Sequence, residues 1–196
     1  MTPFEYVLPL VSVLAGLALA DLATSLHRLL RARRRVRWDG LPLGTAALAV
    51  VLVLQVWWAF YNSQADTFYQ TLGGFLPLAI QLVVLFLLNA AALPDDVPDE
   101  GIDLRAFYDA NSSYFWSLLA TFFLISIAHR VGAYAVGYLP AGSGGAVAAW
   151  ATTNLVLVAL VFVLVRVRHR ALHTVAILGL LVLFLVEASR MSLGSV

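Results

Sequence analysis

The sequence predicts an all-α fold, a polytopic bundle of six transmembrane helices, on three observations. Hydrophobic residues make up 62% of the 196 and charged residues only 12%, with a mean hydropathy of +0.90, a balance too apolar for a soluble globular domain. Several uncharged runs are long enough to cross about 30 Å of hydrocarbon, which takes about 20 mostly apolar residues. Finally, the twelve basic residues are all Arg, and six spans put ten of them on one side, the asymmetry expected of cytoplasmic loops.

The expected spans are about 5–27, 42–62, 72–93, 111–138, 147–166 and 172–191, forming a single transmembrane domain over 1–196. The first run has no basic residue ahead of it and so lacks the n-region of a secretory signal peptide; it is expected to stay in the mature protein. Behind it come Arg28, Arg31, Arg33, Arg34, Arg35 and Arg37, a cluster whose default role is orientation, with anionic lipid headgroups as candidate partners at about 1 kcal/mol per cation. Residues 40–65 and 67–94 carry no charge and flank a lone Asp66 in the polar segment Asn62-Ser63-Gln64-Ala65-Asp66, which reads as a tight helical hairpin. Residues 94–110 form an acidic, turn-rich loop on the Arg side, within which Leu104 to Tyr108 reads as a short interfacial helix. Residues 131–165 are again uncharged, but Leu139-Pro140-Ala141-Gly142-Ser143-Gly144-Gly145 divides them into two helices. Counting from the Arg clusters places both termini outside. The Ala, Leu, Val and Arg bias points to a GC-rich bacterial genome and hence the inner membrane.

The chain shows a weak internal likeness. Leu82 to Ala91 and Leu180 to Ser189 share six identities in ten, and His27-Arg28 and His129-Arg130 repeat a dipeptide. Three spans per half would make such a repeat inverted, as in many secondary transporters.

Several chemistries are excluded. The net charge of +1 and the membrane composition give no case for nucleic acid. The absence of Cys removes thiolate metal sites and thiol nucleophiles, and the absence of Lys removes a retinal Schiff base. His129 is the one His read as lying well inside the bilayer and has no partner ligand, so neither haem nor zinc is expected; no cofactor is. Ser143 lacks an adjacent base, because His169 and His173 fall on the opposite face. The acidic loop places Pro98 and Phe107 where a calcium loop needs oxygen ligands. No catalytic constellation is recognised.

What remains are polar groups that are costly in lipid. Arg130 is read as about nine residues, hence about 13 Å, below the outer end of its span. Glu187 is read at a similar depth, and the two are expected to pair facing the bundle interior. Glu5, Gln55 and Asn154 extend that outer cluster, Trp57 and Tyr61 line it, and Asp21 and His129 complete the candidates. Small-residue faces at Gly16-x-x-x-Ala20 and Ala133-x-x-x-Gly137 are expected to let helices approach closely. Two functions lead: a small transporter or channel with a polar site in the outer half, or a non-transporting sensor, scaffold or accessory subunit; an intramembrane enzyme keeps a smaller place, limited by the lack of a nucleophile with a base or of a ligand set. A homo-oligomer or a protein partner fits either.

Overall fold

The computed structural model describes residues 3–61 and 71–190. It contains six helices: α1 (Pro3–Arg31), α2 (Gly40–Tyr61), α3 (Leu72–Ala90), α4 (Leu104–Ala135), α5 (Gly144–Arg166) and α6 (Arg170–Arg190). All six are long and apolar enough to cross a membrane, and the chain is a multi-pass membrane protein. The expected Asn62–Asp66 hairpin turn lies outside the described residues, as do the expected ends of the second and sixth spans.

Caps set the helix starts. Asp39 precedes α2 and accepts from the Leu41 N–H at 3.0 Å, and Thr71 caps α3 by accepting from the Gly74 N–H at 3.1 Å. Asp103 caps α4, its carboxylate accepting from the N–H groups of Arg105 at 2.8 Å and Ala106 at 3.2 Å. Such side chains satisfy donors that a helix N-terminus otherwise leaves unpaired. The Asp103 cap moves the start of α4 back to Leu104 from the expected 111. The expected short interfacial helix is therefore the first turn of α4, and the irregular part of the acidic loop stops at Gly101, before a two-residue strand. At 32 residues, α4 is about 48 Å long at 1.5 Å per residue. It outreaches the hydrocarbon, so part of it stands in the headgroup region.

In the bundle, α1 packs on α3 and α2, α4 on α5 and α3, and α6 on α2. The buried face of α1 runs Val11, Ala15, Ala18, Leu22, Ser25, Leu29, steps of four and three that keep one stripe against its neighbours. α6 approaches α4 through large rings, with Phe123 and Phe184 centroids 6.2 Å apart. Packing thus differs between the two halves. In the first, α1 and α3 lie backbone to backbone; in the second, α6 leaves its own triplet for α2. The sequence likeness has no counterpart in this packing.

Polar side chains bolt neighbouring helices together. The Gln55 amide donates to Phe184 O at 2.7 Å, joining α2 to α6. Trp57 donates to Ser12 Oγ at 3.0 Å, joining α2 to α1, and Gln81 donates to Ser126, joining α3 to α4. Hydrogen bonds across helices in lipid are worth about 0.6–2 kcal/mol each.

The expected close approach at Gly16 is not made. Gly16 and Ala20 are both exposed, and a Cβ at Gly16 would meet nothing within 4 Å, because the α1 stripe passes on the other side. The close approach falls at Gly44, where a Cβ would sit 2.8 Å from Ile177 Cγ2 on α6. Gly44→Leu is therefore expected to lower the detergent melting temperature, by an overpacking cost of about 1–3 kcal/mol, while Gly16→Leu leaves it unchanged. Equal melting of the two variants contradicts the packing of α2 on α6.

At one end of the bundle the Arg-rich linker and the acidic loop close on each other. Strands β1 (Val36–Arg37) and β2 (Ile102–Asp103) pair in parallel, Val36 beside Ile102 and Arg37 beside Asp103. Gly101, at φ +95°, leads into β2, and a Cβ there would come within 2.4 Å of Arg35 O. Only glycine fits a left-handed conformation this close to another backbone. Three ion pairs follow the same order: Arg28 with Asp96 at 3.2 Å, Arg35 with Asp99 at 3.2 Å and Arg37 with Asp103 at 3.3 Å. The cluster is thus partly neutralised within the chain, while Arg31, Arg33 and Arg34 make no ion pair among the described residues.

Asp103 gives this layer an acid-sensitive point. Its carboxyl is held below the usual carboxylate value of 3.8, first by the Ala106 N–H, with partial burial opposing and the Arg105 N–H and the charges of Arg37 and Arg105 adding to it. A carboxyl whose value is lowered on folding contributes stability above its unfolded value, and loses it as pH falls through the folded one. The protection of residues 94–106 from hydrogen exchange, corrected for the intrinsic pH dependence of the rate, should accordingly fall as pH drops below about 4. Asp103→Asn keeps a capping oxygen and should show a smaller acid-dependent fall than the parent; an identical pH profile removes Asp103 as a cause.

Candidate functional site

The outer polar cluster expected from the sequence does not assemble. Arg130 and Glu187 are both exposed and are not paired; Arg130 lies over the Trp150 ring on α5, 4.8 Å from its centroid. The physical reason is depth. α4 ends at Ala135, so Arg130 sits only five residues, about 8 Å, from the helix end. Glu187 lies three residues before the end of α6. Both can carry their charge to the interface along the side chain, so neither needs the other.

The other candidates are satisfied one by one. Half-buried His129 donates through Nε2 to Gly74 O at 3.1 Å, tying α4 to α3. Asn154 is buried and bonds back to Trp150 O at 2.8 Å. Tyr61 stacks on Trp57 with centroids 5.7 Å apart. Glu5 is exposed. Asp21 is half-buried, with Oδ2 sealed from solvent and lacking a hydrogen-bond partner. These residues are distributed over five helices and line no shared cavity among those described.

Buried polar groups do converge at the Arg-rich end, on residues that the sequence reading left aside. Tyr108, Ser112 and Trp116 are spaced i, i+4, i+8 on α4 and so share one face. His173, one turn into α6, meets them. Its Nδ1 lies 2.6 Å from the Tyr108 hydroxyl and 3.1 Å from Trp116 Nε1, and its Nε2 lies 2.8 Å from Val167 O. The hydrogen positions follow from what each partner can do. A carbonyl only accepts, so Nε2 carries the hydrogen; an indole N–H only donates, so Nδ1 is bare. Tyr108 then donates to Nδ1, and the Trp116 N–H is shared between Nδ1 and the Tyr108 oxygen, 3.2 Å away. His173 is the neutral Nε2–H tautomer, and every polar atom of the triad has a partner. The rings meet edge to face, Trp116 and His173 at 5.8 Å and Tyr108 and His173 at 5.6 Å, with Trp116 at 0% and His173 at 2% exposure.

Beside the triad, Arg170 opens α6 and clasps two acids from other elements: Asp39 at the start of α2 and Asp109 on α4, the latter at 2.8 Å. One guanidinium thereby ties the starts of α2, α4 and α6. Arg170 also separates two cavities. One, of about 250 Å³, is lined by Tyr108, Asp109, Ser112, Arg168, Arg170 and His173. The other, of about 350 Å³, lies between α2 and α6 and includes Asp39, Gly44 and Ile177 in its lining. Behind Tyr108 and His173 the α4 face turns apolar at once, with Phe115, Leu119, Ala120 and Phe123 all buried.

Chemically, the first cavity offers two guanidinium groups, a carboxylate and a hydroxyl, over a floor of neutral, fully bonded rings. That is equipment for holding a polar ligand. Among the described residues no cluster of three or more His, Asp or Glu forms a metal site. One signal for this site was present in the sequence: the topology already set Tyr108 and His173 on the same side of the membrane, and the i, i+4, i+8 spacing gave the shared face. No protein-family model, curated protein or solved structure matches the chain.

Proposed function

We propose that the chain is a non-transporting membrane protein, a sensor or scaffold that binds a polar ligand at its Arg-rich end. The observation that carries this reading is the convergence of buried polar groups on a cavity at the end of the bundle, with an apolar α4 face of Phe115, Leu119, Ala120 and Phe123 behind it. A transport path needs polar groups continuing through the bilayer, whereas here Gln55, Trp57 and Gln81 bolt neighbouring helices and Asn154 bonds back within its own. By the distribution of Arg the site lies on the cytoplasmic face, with both termini outside, as in a bacterial inner membrane protein. Arg31, Arg33 and Arg34 are then the cations free to meet anionic headgroups.

Two measurements test it. The purified protein in proteoliposomes should give no flux of protons, alkali cations or chloride above protein-free vesicles. Flux that disappears in Asp21→Asn or Gln55→Leu overturns the reading in favour of transport. Reporter fusions at both termini should report the outer side; a cytoplasmic C-terminus overturns the orientation.

A further inference from the structure

The cavity between α4 and α6 carries charges of both signs on one rim. Arg168, in the turn between α5 and α6, is exposed and makes no ion pair among the described residues. Arg170 and Asp109 share one bond through Asp109 Oδ1, which leaves Oδ2 without a hydrogen bond.

Ser112 supplies the independent sign of a ligand. The residue is 7% exposed and lines the cavity, yet its hydroxyl has no hydrogen-bond partner among the described residues. Ser117, Thr121 and Ser126 of α4 each bond the carbonyl four residues back, at 2.7, 2.9 and 2.9 Å, while the half-buried Ser113, like Ser112, makes no such bond. Bonding back is the ordinary way for a helix to satisfy a hydroxyl in apolar surroundings. Of the two serine hydroxyls that depart from it, Ser112 is the buried one and the one that lines a cavity.

Charge balance selects the ligand class. A lone anion entering this cavity meets Asp109, and a lone cation meets Arg168 and Arg170. A ligand carrying a phosphate and an ammonium together meets a complement at each end. Depth supports the same choice, since Tyr108 and Ser112 lie in the first turns of an α4 that outreaches the hydrocarbon and Arg170 is the first residue of α6. Exposed Val167, Leu172 and Val175 give the same end of the bundle an apolar flank.

We propose that this cavity binds a phosphoethanolamine group, with the phosphate on Arg168 and the Ser112 hydroxyl and the ammonium on Asp109 Oδ2. In a membrane this group is the headgroup of phosphatidylethanolamine. The proposal rests on the reading of the cavity as a ligand site.

The test is the melting of the delipidated full chain in detergent, titrated separately with phosphatidylethanolamine, phosphatidylcholine, phosphatidylglycerol and soluble glycerophosphoethanolamine. Phosphatidylethanolamine should raise the melting temperature most, because phosphatidylcholine has no ammonium N–H for Asp109 and phosphatidylglycerol has no cation. Saturation by glycerophosphoethanolamine at concentrations matching the lipid assigns the site to a soluble source of the same group; a clear preference for the diacyl form assigns it to lipid. Arg168→Gln, at an exposed residue whose loss leaves the fold intact, should weaken the response to phosphatidylethanolamine about tenfold, the scale of a lost charged hydrogen bond. Asp109→Asn should move the preference to phosphatidylglycerol. Equal shifts with all three lipids, or an Arg168→Gln response like the parent's, overturn the proposal. Solute flux overturns the reading beneath it, whereas lipid-indifferent melting without flux overturns the ligand alone.

Discussion

Replacing His173 with leucine is expected to cost more stability than any other single polar substitution in the chain. The imidazole accepts from Tyr108 and Trp116 and donates to Val167 O, and both His173 and Trp116 are almost wholly buried. Leucine fills much of the volume but leaves the Tyr108 hydroxyl hydrogen and the Val167 carbonyl without partners, each at about 1–3 kcal/mol. The Trp116 N–H keeps the Tyr108 oxygen at 3.2 Å and is spared. A loss of about 2–5 kcal/mol follows, read as a drop in melting temperature of the detergent-purified protein. His173→Gln, which retains one donor and one acceptor, should lose less. Should leucine and glutamine melt alike, packing and not hydrogen bonding sets the worth of His173.

The second large effect is expected at Arg170. Removing one partner of a buried charge pair costs about 3–5 kcal/mol, because the other charge stays behind. Here Asp39 is the enclosed partner, with its side chain 16% exposed, while Asp109 is half in solvent. Arg170→Gln should therefore fall below that range, at about 2 kcal/mol. Asp39→Asn in the same chain should restore part of the loss, since no bare carboxylate then remains near the α2 start. A double variant no better than Arg170→Gln alone shows that the clasp acts through geometry and not charge.

The spans were legible in the sequence because length and the absence of charge decide them locally: the run 40–65 is long enough and holds no charged residue. The site was not, for the opposite reason. Arg170 takes its meaning from Asp39, 131 residues away, and His173 from Tyr108, 65 residues away, and neither separation leaves a trace in spacing. The misplaced Arg130–Glu187 pair came from a helix end. Reading α4 to 138 instead of Ala135 made an interfacial arginine look deep. The Arg linker and the acidic loop were each read correctly as lying at one end of the bundle, yet as separate features, because their opposite charges become one structure only when α2 and α3 are folded between them.

That separation also fixes an order of events while the chain is made. Arg35 leaves the ribosome 64 residues ahead of Asp99, which at about 5–20 residues per second is an interval of about 3–13 s. During it Asp96, Asp99 and Asp103 are not yet made, and the chain through α2 carries the six linker Arg against Glu5, Asp21 and Asp39 alone. Once Asp96, Asp99 and Asp103 emerge, three of those cations are consumed in the ladder. Under the proposed orientation the same side chains act first as an address and only afterwards as a fastening.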